Sequence, residues 1–158
     1  MSPPKISPSD GVLLGLLQKN ARITNKELAR SVGIAESTCL ERVRSLQKRG
    51  VICGWHAEVD LNAIGRPVRA LISVRMQPKT TESLTRFQAE VLLATETLSI
   101  TTVTGADDFV VEVAVPDVDH LRAFVLEHVT NRPYVADART ALVYEHRRKA
   151  VVESMVDD

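Results

Sequence analysis

Between Glu36 and Lys48 the chain sets three hydroxyl side chains, Ser37, Thr38 and Ser45, among the cations Arg42, Arg44 and Lys48 and one acid, Glu41. Short hydroxyls reach base edges, and Arg and Lys neutralise phosphates. A carboxylate is tolerated on such a surface where it accepts from a cytosine amino group. The chemistry on offer is the reading of a nucleic-acid duplex. Upstream, Arg22 and Lys26 fall where they would meet phosphates. Plainer roles stay open: Glu41 can pair along a helix with Arg44 or Lys48, and Arg22 and Lys26 can be solvated charge.

Other chemistries find little support. The histidines (His56, His120, His128, His146) share no spacing with Cys or acids that makes a triad or a metal site. No Gly-rich phosphate loop occurs. Asp107 and Asp108 are adjacent carboxylates, which do not form a coordination shell. No catalytic residue, metal or cofactor is therefore assigned, and an enzyme is not expected. The two cysteines, Cys39 and Cys53, form no CxxC pair, which suits a reducing cytoplasm and argues against a disulfide framework. Cys39 reads as a small core residue.

Of 158 residues, 44% are apolar and 25% charged, a globular composition long enough for one large domain or two small ones. Nothing approaches the ~20 apolar residues of a membrane span. Met1 to Ser9 lacks the apolar core of a secretion signal. The formal net charge is zero, but its distribution is uneven. Residues 1–52 carry nine Lys and Arg against four Asp and Glu, a surplus of five cations that the rest of the chain balances with acids. A basic head on an acidic body places a polyanion-binding surface in the first third.

Three helices must position that surface. Asp10 to Gln18 carries Leu13, Leu16 and Leu17 on one face, widened by Val12 and Leu14. Thr24-Asn25-Lys26-Glu27 is a capping box that opens a second helix, with Leu28, Ala29 and Val32 inside and Gly33 as its stop. A third runs from Glu36 to Lys48 with Cys39, Leu40, Val43 and Leu46 as its apolar stripe. Ala29 lets the last two helices approach, and Gly33 permits the tight corner between them. This is the helix-turn-helix pattern, whose second helix enters the major groove.

The remainder reads β-α-β-β-α-β, the ferredoxin-like order. Strands are expected over Val68–Met76, Leu98–Val103, Phe109–Val115 and Arg139–Tyr144. One helix is capped at Thr80 or Thr81 and carries Leu84, Phe87 and Val91. The other is capped at Asp117 and carries Leu121, Phe124, Val125 and His128. Val51 to Asp60 looks extended. Strand residues are apolar on both faces (Leu71, Ile72, Val110, Val111, Val113), so the face without helices needs cover, and a second copy is the simplest partner. Two-fold symmetry then predicts a pseudo-palindromic operator with half-sites about 10 bp apart or a multiple of it.

The segments Ala21-Arg22-Ile23-Thr24-Asn25-Lys26-Glu27-Leu28-Ala29, Val32-Gly33-Ile34, Ser37 to Val43 and Leu46 through Ile52 resemble the Lrp/AsnC (feast/famine) regulators. The likeness continues through Gly54-Trp55, Gly65, Val103-Thr104-Gly105 with Asp108, Val115-Pro116-Asp117 and Thr140, nearly the whole chain. It implies an α+β protein: an N-terminal (winged) helix-turn-helix domain over 1–52, a linker strand over 53–66, and a C-terminal ferredoxin-like (RAM, ligand-binding) domain over 67–158. It implies a sequence-specific transcription regulator of the cytoplasm and nucleoid that binds double-stranded DNA. It further implies a homodimer, assembling to a tetramer or octamer, and an amino acid or related small molecule bound between dimers. The DNA-binding residues are then Arg22, Lys26, Ser37, Thr38, Glu41, Arg42, Arg44, Ser45 and Lys48. The effector residues are Thr102, Thr104, Gly105, Ala106, Asp107, Asp108, Thr140 and Leu142, with Asp108 holding an α-amino group and Thr140 and Leu142 on the adjacent last strand. In the family, the linker pairs across the dimer; Trp55 there has either that role or a core one.

This chain departs from the family pattern at three places. Ala35 stands where a Ser caps the recognition helix, Glu41 where a basic residue is common, and Ala106-Asp107 where the loop has an acidic and an aromatic residue. Two rival functions remain: an architectural DNA-binding protein without an effector, and a small-molecule enzyme in the cleft of a ferredoxin-like dimer.

Overall fold

The computed structural model describes residues 6–155; Lys5 and the start of the Met1–Ser9 stretch lie outside the described residues. The chain divides into two compact units, Met1–Glu58 with Arg147–Asp158, and Val59–His146. Of the domain expected over 67–158, Arg147–Asp158 group by contact with Met1–Glu58 and the rest lies in the unit Val59–His146. No helix among the described residues is long and apolar enough to cross a membrane.

In the first unit, helix α1 spans Pro8–Lys19, α2 Asn25–Val32 and α3 Glu36–Lys48. Ser7 caps α1, its hydroxyl accepting from the Asp10 N–H at 3.2 Å, with proline in the first turn. The expected capping box of α2 is present. Thr24 Oγ1 accepts from the Glu27 N–H at 3.2 Å while Glu27 Oε2 accepts from the Thr24 N–H at 3.0 Å. The Thr24 N–H foremost, and the Thr24 hydroxyl donating to Oε2 at 2.8 Å, hold the Glu27 carboxyl below its usual range. Gly33 turns the corner at φ +74°, a left-handed conformation that glycine adopts without a Cβ penalty, and the Ile34 N–H closes it on the Ala29 carbonyl at 3.1 Å. Leu13, Leu17, Leu28, Ala29 and Cys39 form the core, with Ile23, Val32, Ile34, Val43 and Ile52 packed around it. Val12 and Leu40 fall outside it, exposed at 52% and 39%, so both apolar stripes are narrower than the sequence suggests.

In the second unit, β1 (Val68–Met76), α4 (Thr81–Leu93), β2 (Thr97–Thr102), β3 (Phe109–Val115), α5 (Val118–Phe124) and β4 (Val135–Leu142) follow the expected order. A π-helical turn over Val125–Thr130 continues α5. All pairings are antiparallel, in the order β2-β3-β1-β4. β4 begins at Val135, before the predicted Arg139, because Met76 at the end of β1 pairs with Val135 past a bulge. Neither Val51 to Asp60, expected to be extended, nor the linker strand expected over 53–66 forms a strand among the described residues, and Trp55 is 43% exposed rather than in the core.

Directly paired residues share a face. Ile72, Val111 and Val113 therefore face the helices with Phe87, Phe109, Val74 and Val91, in a core where the Phe87 and Phe109 rings lie 5.3 Å apart. Leu71 and Val110 point the other way, beside the ion pair of Arg69 Nε and Glu112 Oε1 at 2.7 Å. The open face is thus mixed in character, a correction to the expectation of apolar residues on both sides.

Candidate nucleic-acid interface

Helix α3 sorts its side chains by the 3.6 period. Cys39 and Leu46 are fully buried and Val43 packs beside them, while Ser37, Thr38, Glu41, Arg44, Ser45 and Lys48 are all exposed. None of these six makes a side-chain hydrogen bond or ion pair with a described residue. Ser37 and Thr38 sit toward the amino end, and Arg44 and Lys48 flank Ser45 toward the carboxyl end, so hydroxyls for base contacts lie beside cations for phosphates. Ala35 gives α3 no side-chain cap, so the first-turn N–H groups lack that partner. Arg22 and Lys26 are exposed on the turn before α2 and on α2 itself. Asn25 Nδ2 donates to the Glu36 carbonyl at 2.9 Å, tying the starts of α2 and α3 together. Glu41 forms no pair with Arg44 or Lys48, which removes its plainer reading.

Arg42 corrects the expected set. Its guanidinium turns inward, Nη1 lying 3.0 Å from Asp10 Oδ1 and 3.4 Å from Ser7 Oγ at the start of α1. The helical period contains the reason: Arg42 is three residues after Cys39 and four before Leu46, both buried. It braces α3 against α1. Asp10, which a reading for DNA contacts passes over, is its partner and is 8% exposed.

The effector residues of the second unit meet a different environment. Asp108 is fully engaged: Oδ2 accepts from the Met76 N–H at 2.8 Å and Oδ1 lies 2.8 Å from Lys79 Nζ. Burial pushes its carboxyl up, but the Lys79 and Met76 bonds outweigh that and hold it below the ordinary carboxylate range. Asp107 receives Arg139 Nη2 at 2.6 and 2.8 Å on its two oxygens. Thr102 Oγ1 accepts from Gln88 Nε2 at 2.9 Å. Thr104, Gly105 and Ala106 are exposed, with Gly105 at φ +116°.

Thr140 and Leu142 are not on a strand adjacent to Thr102. β2 and β4 are opposite edges of the sheet, so within one chain they stand about 14 Å apart at ~4.8 Å per strand. Asp107, through Arg139, carries the loop across to β4. Thr140 instead borders a hollow of about 270 Å³ with Val118, Leu121 and Val125. Lys79, Gln88 and Arg139 escaped the sequence reading, since no local pattern marks a cation that will neutralise a loop acid across strands. No cluster of three or more metal-ligating side chains occurs among the described residues.

Residues 6–52 match the winged helix-turn-helix DNA-binding family and residues 69–153 the Lrp/AsnC ligand-binding domain. The chain is 38% identical over 148 residues to the HTH-type transcriptional regulator AldR of Mycobacterium tuberculosis, covering 94% of this chain and 83% of that one. It is 30% identical to the leucine-responsive regulatory protein of Salmonella typhimurium, covering 89% and 86%. Among solved structures it resembles a transcriptional regulator of Neisseria meningitidis in complex with L-methionine, at a TM-score of 0.85, 26% identity, and 92% and 94% coverage.

Proposed function

The chain belongs to the Lrp/AsnC family of helix-turn-helix DNA-binding transcriptional regulators, and from that premise we propose that it reads a pseudo-palindromic operator through α3 as a homodimer or larger homo-oligomer. Ser37, Thr38, Glu41 and Ser45 meet base edges, and Arg44, Lys48, Arg22 and Lys26 meet phosphates. One observation carries this reading: six exposed polar side chains on a single helix face have no partner in the described chain, behind a corner set by Gly33. The open sheet face, with Leu71 at 38% exposure, supplies the surface for a second copy. The protein acts in the cytoplasm, on DNA, without catalysis of its own.

The effector is an amino acid or a related small molecule, supported by the ligand-binding family match and by the methionine complex of the similar Neisseria regulator. Thr102 and Thr140 are too far apart to serve one ligand within one chain, so the site is completed between copies. Because Lys79 already occupies Asp108, an α-amino group must displace that ammonium or bind beside it.

Footprinting on the DNA upstream of its own gene, with and without each of the twenty amino acids, tests both parts. Protection of paired half-sites, altered by one amino acid, is expected. Uniform coating of any DNA would identify an architectural protein instead. A thermal-shift screen of the same amino acids reads effector binding apart from DNA.

A further inference from the structure

We propose that the carboxyl-terminal segment 147–155 is a working part of the DNA-binding head, an anchored arm whose Arg148 and Lys149 contact duplex phosphates. The inference rests on the DNA-binding reading above and assigns it a second contact surface, outside α2 and α3.

The anchor is visible. The Gln18 carboxamide brackets Val152 as a neighbouring strand would: Nε2 donates to the Val152 carbonyl at 3.0 Å and Oε1 accepts from its N–H at 2.9 Å. Two antiparallel bonds from one planar group fix both the position and the direction of the backbone they hold. One turn earlier on α1, Gly15 faces the arm; a Cβ there would meet Val151 Cγ1 at an ordinary contact distance of 3.9 Å, so only a larger side chain would collide with it. Gly11, Leu14, Gly15 and Gln18, spaced i, i+3, i+4, i+7, share that face of α1. With the arm and residues 51–56 they line a hollow of about 520 Å³. Leu14, which the sequence assigns to the core, has this face as its setting.

Charge gives the anchored arm its role. Residues 59–146 hold eight Lys and Arg against twelve acids. Together the head and the segment beyond 146 hold twelve against eight. The chain therefore leaves an acidic unit and attaches three consecutive cations, Arg147, Arg148 and Lys149, to the basic one. All three are exposed, and they precede the anchor, whereas the acid Glu153 follows it. Without the anchor these cations would be a loose tail; with it they are fixed on the unit that approaches DNA, where each phosphate neutralised releases counterions.

The test is equilibrium binding of the full chain to a short duplex of arbitrary sequence across a range of salt. The double variant Arg148→Gln/Lys149→Gln should make the slope of log K against log salt shallower by about 2, at ~0.9 per lost phosphate contact. Gln18→Ala removes no charge, yet it should shift the slope the same way by releasing the arm. Gly15→Leu, which pushes Val151 off α1, should repeat that effect.

An unchanged slope in the double variant overturns the proposal. So does a loss confined to the double variant, with Gln18→Ala and Gly15→Leu like wild type in slope, since the anchor would then be irrelevant. A change in assembly on size exclusion without a change in slope overturns it in favour of a contact between copies. Lys48→Gln separates this from the underlying reading. If wild type binds duplex with a steep slope that Lys48→Gln reduces while the arm variants do not, only the arm fails. If wild type shows no salt-dependent binding, the DNA-binding reading fails.

Discussion

The face of α3 and the loop over 104–108 both carry charged side chains that the sequence marks as functional, and the protein treats them in opposite ways. On α3 the polar groups are exposed and unspoken for, on a helix whose other side is locked into the core. In the loop both carboxylates are already committed, Asp108 to Met76 and Lys79, Asp107 to Arg139. A partnerless charge on a rigid element is available to an external ligand at no internal cost. A paired one must first be released, so its ligand competes with the fold. The head leaves its charges open to a ligand, and the loop uses its own to hold its shape.

The largest effect that sharpens this contrast lies in the loop. Asp108→Ala leaves the Met76 N–H without its acceptor and Lys79 without its counter-charge, and should destabilise the second unit by about 2–3 kcal/mol. Asp108→Asn keeps an acceptor and should cost less. The folded carboxyl titrates below its ordinary range, so its stabilisation is present above the unfolded pKa and is lost as pH falls through the folded one. Urea denaturation from neutral to acid pH should show this loss in wild type and a flatter profile in Asp108→Asn. Equal stability of Asp108→Ala and wild type at neutral pH would break the comparison, since the loop acid would then be as uncommitted as those on α3.

A smaller effect divides α3 itself. Arg42→Ala strips the partner from Asp10, and with the guanidinium about a third exposed the loss should be about 1 kcal/mol of head stability. Lys48→Gln should leave melting unchanged and lower DNA affinity. Melting curves beside binding measured well below the transition separate the two. Should Arg42→Ala melt like wild type yet lose one base preference, Arg42 reads DNA after all, and its contact with Asp10 is incidental.

These assignments show which levels of organisation the sequence carried. The capping box at Thr24, the glycine corner at 33, α3 over Glu36–Lys48, and strands β1 and β3 are written in local pattern, and they stand where local chemistry put them. Partnership across the fold was not legible. The pairing of Arg42 with Asp10 spans 32 positions, as does that of Arg139 with Asp107, and no periodicity encodes either. The bracket of Gln18 on Val152 spans 134, so no local pattern reveals the return of the chain to the head. The resemblance implies Thr140 on a strand adjacent to the loop, whereas the sheet order sets β2 and β4 at opposite edges, a long-range property that no strand sequence encodes.

The smallest effect concerns the cap. Ala35 offers no side-chain acceptor to the first turn of α3, although that helix must hold the reading face in place. Ala35→Ser should add the missing hydrogen bond and stabilise the head by about 0.5–1 kcal/mol, visible as a higher melting temperature. If the uncapped N–H groups serve DNA, the serine hydroxyl should compete with a phosphate for them, and the stability gained would come with weaker duplex binding. If they serve nothing, the variant gains stability and keeps its affinity. The second result would limit the reading surface to side chains; the first would extend it to the backbone at the helix start, where the contrast with the satisfied loop is sharpest.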